Sequence, residues 1–202
     1  MKHSLKIIII MLSMFFVTQL IGLAVINAYT PTVKEVMGEN NTLINVTTYE
    51  LPYGTAPPEE ISPKISLVSI IIAFVIAISL IILLMKIRAE IFLRLWFLFV
   101  ITLALGVTFN AFLKPWPYSS LIAIAIALPL ALIKIFKRNI LVHNFTELLV
   151  YPGIAAIFVP LLSIWTVVIL LILISIYDIY AVWHTGFMQE MAKYQMKTVK
   201  VF

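Results

Sequence analysis

The 202-residue sequence has no cysteine, a single aspartate and few charges of either sign, with Lys, Arg, Asp and Glu together at 11%. Without cysteine it can hold neither a disulfide framework nor a thiolate metal site. So small a charged fraction also excludes a disordered chain and an ordinary soluble domain, which runs to about 25% charged residues. No internal repeat and no glycine-rich phosphate loop is present. The three histidines, His3, His143 and His184, are too scattered to suggest a metal site. A net charge of +5 is no nucleic-acid footprint here, because the placement of the lysines accounts for it better.

Apolar surface is what the chain has in abundance. Hydrophobic residues make up 63% of it and the mean hydropathy is +1.11. Such a chain needs lipid as its solvent. A bilayer core of about 30 Å is crossed by about 20 apolar residues rising 1.5 Å each. The sequence therefore predicts one all-α integral membrane domain over 1–202, with six transmembrane helices. They fall at about 5–28, 65–85, 91–113, 118–136, 140–158 and 160–182. The first run is too long for a signal-peptide core and ends in no small-residue cleavage site, so it reads as an uncleaved span. The fifth is the least pure, holding His143, Asn144, Thr146 and Glu147. Pro160 is placed for the first turn of the sixth, where its missing N–H costs nothing.

The basic residues set an orientation. With the N-terminus inside, Lys2, Lys6, Lys86, Arg88, Arg94, Lys134, Lys137, Arg138, Lys193, Lys197 and Lys200 are cytosolic. Only Lys34, Lys64 and Lys114 are then outside, which predicts a cytosolic location for both ends. Residues 29–63 form the one long outer loop, and the sequence suggests a solvated linker. Asn40-Asn41-Thr42 and Asn45-Val46-Thr47 match the glycosylation sequon, in an Asn/Thr-rich stretch where a chance match is at least as common. Lys114-Pro115-Trp116-Pro117 has the makings of a turn with an interfacial aromatic anchor. Asn144-Phe145-Thr146-Glu147 has capping-box spacing, which gives Glu147 a structural role and starts a short fifth helix near Phe145. In the tail 186–202, Met188, Met191, Val199 and Phe202 share one helical face, with Lys193, Lys197 and Lys200 on another. That pattern predicts an amphipathic helix on the cytosolic leaflet.

Asp178 stands out. It is the only charge between Pro160 and Val182, and placing Asp at the centre of a membrane helix costs roughly 2.5–3.5 kcal/mol. His184 lies six residues on, about 9 Å along a helix, so Asp178 is expected to be buried on the cytosolic side of the midplane. Tyr177 beside it can offer a phenolic hydrogen bond. Ser175 and Ala181, on its own face, are small enough to admit a neighbouring helix. No other span offers a plainly intramembrane ionisable partner. From the residues alone, a proton relay, a cation site and half of a protease dyad all fit.

Tyr177-Asp178, followed by Ile179-Tyr180-Ala181-Val182-Trp183, resembles the YD motif of the presenilin and signal peptide peptidase family of intramembrane aspartyl proteases. The flanking stretches Asn139–Leu148 and His184–Met188 are similar to the archaeal branch, and the likeness covers the whole chain. It implies a presenilin-like N-terminal bundle in a cell membrane, with Asp178 as one catalytic aspartate of two and Tyr177 as a supporting hydrogen bond. It also implies membrane lipid and transmembrane-helix substrates as partners, with no cofactor, no metal and no nucleic acid. The family's second aspartate, in Gly-x-Gly-Asp, and its Pro-Ala-Leu motif have no match here; Pro129-Leu130-Ala131-Leu132 lies in the fourth span and is not that motif. The resemblance therefore implies the six-span N-terminal portion of such a protease, inactive until a second chain or a further segment supplies the missing part. The alternatives are a truncated, non-catalytic binding or regulatory membrane protein, and a small transporter using Asp178.

Overall fold

In hydrocarbon, a backbone can satisfy its own N–H and C=O groups only by coiling or by closing a barrel, and long runs of Leu, Ile, Val and Phe coil. The protein, a computed structural model that describes residues 5–37, 43–56, 63–87, 89–137, 139–180 and 193, is accordingly helical along each such run. The helices are α1 (Leu5–Ala28), α2 (Pro63–Lys86), α3 (Glu90–Leu113), α4 (Ser119–Phe136), α5 (Ile140–Phe158) and α6 (Ile164–Tyr180). Four are long and apolar enough to cross a membrane: α1, α3, α4, and α5 taken through Leu161. α2 and α6 contribute shorter apolar segments, Val68–Leu84 and Ile164–Tyr180.

α3 is the hub, packed most extensively on α4 and also on α5, while α1 lies along α5. The α3–α4 contact is close because α4 turns Ala123, Ala127 and Ala131 toward it at i, i+4 and i+8, all fully buried. Leu105 of α3 and Leu149 and Val150 of α5 complete this core. Polar side chains turn inward as well: Thr108, Asn110 and Thr146 are buried, while Phe16, Leu20, Trp96 and Phe99 are exposed. Apolar residues outside and hydrogen-bonded polar ones inside suit a lipid solvent.

The α3–α5 crossing is backbone against backbone. A Cβ on Gly153 would collide with the Ala104 carbonyl oxygen, and would lie 2.7 Å from the Ala104 carbonyl carbon and 2.8 Å from Thr108 Oγ1. The Thr108 hydroxyl donates to the Leu149 carbonyl across the same crossing at 2.7 Å. Pro152, buried beside Gly153, lacks the N–H that would bond the Leu148 carbonyl, one residue before the Leu149 carbonyl that Thr108 serves. Gly153→Ala is expected to destabilise the bundle by about 1–3 kcal/mol, since backbone cannot yield as a side chain does. A lower thermal midpoint of the purified protein in detergent would register it.

The loop between α1 and α2, read from composition as a solvated linker, carries regular structure. Thr32–Met37 (β1) and Leu43–Thr48 (β2) pair as an antiparallel hairpin, with Thr32 opposite Thr48 and Met37 opposite Leu43. The segments beside it are tied into the bundle. Tyr29 and Leu51 are buried against Val25, Val107 and Ala111. The Tyr29 hydroxyl donates toward the Val107 carbonyl at 2.8 Å and Asn110 Oδ1 at 2.9 Å. Asn110 Nδ2 in turn donates to Ser119 and Ser120 Oγ, both at 3.1 Å. Lys114 Nζ donates to the Ala28 carbonyl at 2.7 Å and lies 5.1 Å from the centre of the Tyr29 ring. Tyr53, held at a left-handed φ of 61° in the short 3-10 turn Pro52–Gly54, sends its hydroxyl to the Ser120 carbonyl at 2.7 Å.

Burial pushes both phenols above the ordinary tyrosine pKa, and for Tyr29 the nearby Tyr53 adds to it. A phenol whose folded pKa is raised stabilises the fold fully below its unfolded value of about 10, and that contribution is lost as pH climbs from there through the folded value. The loop is thus expected to loosen above about pH 10. Protease nicking within 49–56 against pH would follow it, with Tyr53→Phe abolishing that tyrosine's share.

Two helix boundaries differ from the sequence reading. α5 is not a short helix starting near Phe145: Asn139, not Asn144, caps it, its Oδ1 accepting from Leu141 N at 2.9 Å and Val142 N at 3.3 Å. Pro160 does not open α6 but lies in a 3-10 turn, Val159–Leu161, that closes α5. α6 starts after it, with Ser163 Oγ accepting from Thr166 N at 3.2 Å.

Candidate active site on α6 and a charged pair inside the bundle

α6 is apolar along its length and, apart from buried Thr166 and a few half-buried positions, exposed. Asp178 lies in its last turns. Sequence reasoning expects this side chain to be buried; within these residues it is exposed, because no element of the bundle covers that face of α6. Tyr177 is half-buried, and its neighbour is an aromatic ring: it meets Phe74 of α2 edge-on, with centroids 5.9 Å apart and planes at 85°. Ile70, Phe74, Ile78, Leu170, Ile174 and Tyr177 line an apolar cleft of about 330 Å³ between α2 and α6. Tyr177 is the last residue α6 gives to that cleft; Asp178, next in sequence, does not line it. Ser175 turns its hydroxyl back onto the Leu171 carbonyl of its own helix at 2.7 Å. Ala181 and the tail 186–202, apart from residue 193, lie outside the described residues.

The bundle also holds a charged pair that sequence reasoning missed. Sequence reasoning counts Lys134 only as a cytosolic cation near the end of the fourth span, and in α4 it sits at 5% exposure with its ammonium on Glu147 Oε1 of α5. His143 Nε2 stands 3.8 Å from the same oxygen, and Tyr151 follows Glu147 by one turn of the same helix. Glu147 is therefore structural, as expected, but as an ion-pair partner rather than half of a capping box. The pair joins α4 to α5 and is separate from Asp178. The signal in the sequence was the i, i+4, i+8 recurrence of His143, Glu147 and Tyr151. Among the described residues no three of His, Asp and Glu gather as a metal ion requires.

A lone carboxylate in an apolar helix, beside a cleft with room for side chains, can hold or accept a proton. Residues 44–200, more than half of the chain and inclusive of Tyr177 and Asp178, match the model of the family described as signal-peptide peptidase, presenilin aspartyl protease. The chain belongs to this family. In this presenilin-type chain the matched region runs from β2 into the tail, leaving α1 and β1 outside it. Among curated proteins and among solved structures nothing matches it.

Proposed function

We propose that this chain is the part of a presenilin-type intramembrane aspartyl protease that supplies one of its two catalytic carboxylates, Asp178. The observation that carries the reading is the only aspartate of the chain, placed in its most apolar helix directly after Tyr177 and within the family match. Six spans with both ends in the cytosol are part of the same reading, supported by the basic residues and by six apolar helices, as is residence in a cell membrane. The substrates are membrane-spanning helices, unwound so that backbone reaches the carboxylates.

Peptide hydrolysis by carboxylates needs two of them. A few Å apart they cannot both ionise, so one stays protonated and polarises the scissile carbonyl while the other takes a proton from the attacking water. The second carboxylate comes, on this reading, from polypeptide carrying Gly-x-Gly-Asp, together with Pro-Ala-Leu; these 202 residues alone do not cut peptides. Tyr177, beside Asp178, serves by orienting it with its hydroxyl. A purely regulatory chain differs in one measurable respect. Co-expression with the three family spans that carry the second aspartate is expected to cleave a tagged single-span helix, and neither part alone to do so. No cleavage by the pair in any lipid composition would sink the protease reading.

A further inference from the structure

His143, Glu147 and Tyr151 make a stripe down one face of α5, about 12 Å long at 1.5 Å per residue. Lys134 closes Glu147 from α4, and His143 and Tyr151 flank it by a turn on either side. From α1 come Thr18 and Gln19, which with Glu147 and Tyr151 and the apolar Met14, Phe15 and Leu148 line a cleft of about 380 Å³. This cleft shares no residue with the one between α2 and α6 and differs from it in kind, since that one is walled by apolar side chains and Tyr177 alone.

Polar groups at this place need a reason. Gln19 stands near the middle of a 24-residue apolar helix and is exposed, and Tyr151 is exposed as well. An amide or a carboxylate facing hydrocarbon loses its hydrogen bonds, and scattered on the lipid face each would be costly. Instead, four polar side chains from two helices converge on one opening. The Thr18 hydroxyl is already spent on the Met14 carbonyl at 2.9 Å, but the Gln19 amide offers two donors and an acceptor. A buried water needs two to four polar partners and a volume of about 30 Å³, so this cleft has room and partners for several.

We infer that this cleft is a water-filled inlet between α1 and α5, giving bulk protons access to Glu147 at a site separate from Asp178. Water there keeps the Lys134–Glu147 pair hydrated on its open side and supplies the partners that Gln19 lacks in lipid. The chain has no cysteine, so any thiol introduced is unique. Thr18→Cys and Gln19→Cys in the full chain, in lipid vesicles, would be treated with a cationic, membrane-impermeant methanethiosulfonate. Phe16→Cys and Leu20→Cys, exposed on the same helix outside the cleft, serve as comparators. Because the thiolate is the reacting form and needs water, the cleft positions are expected to react at least about tenfold faster. Equal, slow reaction at all four would mean that a lipid chain or a partner helix fills the cleft, and would overturn the inlet. With Lys134→Met and Glu147→Leu added, labelling of Gln19→Cys is expected to drop to the Leu20→Cys rate. Unchanged labelling in that background would overturn Glu147 as the group that holds the water.

Discussion

Asp178→Asn is expected to lower cleavage of a membrane-spanning substrate by about 10²–10⁴-fold in the assembled enzyme, with the second carboxylate in place. The amide has the shape of the acid but can neither ionise nor pass on a proton, so it removes half of a dyad that works as a pair. Among the described residues Asp178 is exposed on α6, so the amide is expected to leave the packing of the bundle intact, and an unchanged thermal midpoint in detergent would check it. Replacing it also lowers the cost of inserting α6 into lipid. Tyr177→Phe keeps the ring that meets Phe74 and removes only the hydroxyl, so its effect should stay near tenfold, the worth of about one hydrogen bond. Full activity in Asp178→Asn would remove this aspartate from the chemistry altogether.

The second large effect is expected at the charged pair. Lys134→Met or Glu147→Leu, made singly, strands the opposite charge inside the bundle and should cost about 3–5 kcal/mol. Made together they replace the pair by apolar groups of similar length, and the double variant should be more stable than either single one. The equilibrium to read is unfolding in detergent, as a double-mutant cycle, where the non-additivity reports the pairing. Two single effects that simply sum would mean that the ammonium and the carboxylate do not depend on each other.

Much of this architecture is legible in the sequence, and the reasons differ from element to element. Long apolar runs announce α1 to α6 because only a helix satisfies their backbones in lipid. Asp178 announces itself by being alone. The hairpin is masked by the polar, Pro- and Thr-rich composition around it, although Gly38-Glu39-Asn40-Asn41-Thr42 between the six-residue β1 and β2 is a Gly-containing stretch of the length that joins hairpin strands. The Lys134–Glu147 pair was hidden for a different reason: its members lie on different helices, and their meeting depends on how α4 and α5 pack. Asn139 and Asn144 are both competent caps by type, and what separates them is the destination of Glu147. Once its carboxylate reaches across to Lys134 it cannot fold back to serve a capping box, so the helix starts a turn earlier. The position of Tyr177 was read correctly as lying beside Asp178, yet its described neighbour is Phe74, a contact no spacing rule anticipates.

The Gly153 crossing and the alanine stripe of α4 also divide the molecule mechanically. With backbone seated on backbone at one interface and methyl groups interleaved at the other, α3, α4 and α5 have no slack in which to rotate or spread. They behave as a keel. α2 touches α3 sparingly, and α6 meets its neighbours at few points, so displacement falls on the two helices that wall the cleft beside Asp178. On the function proposed above, a path for a substrate helix would open by swinging this one light pair of helices while the keel stays still, so that little of the fold has to move to admit something as large as a membrane span.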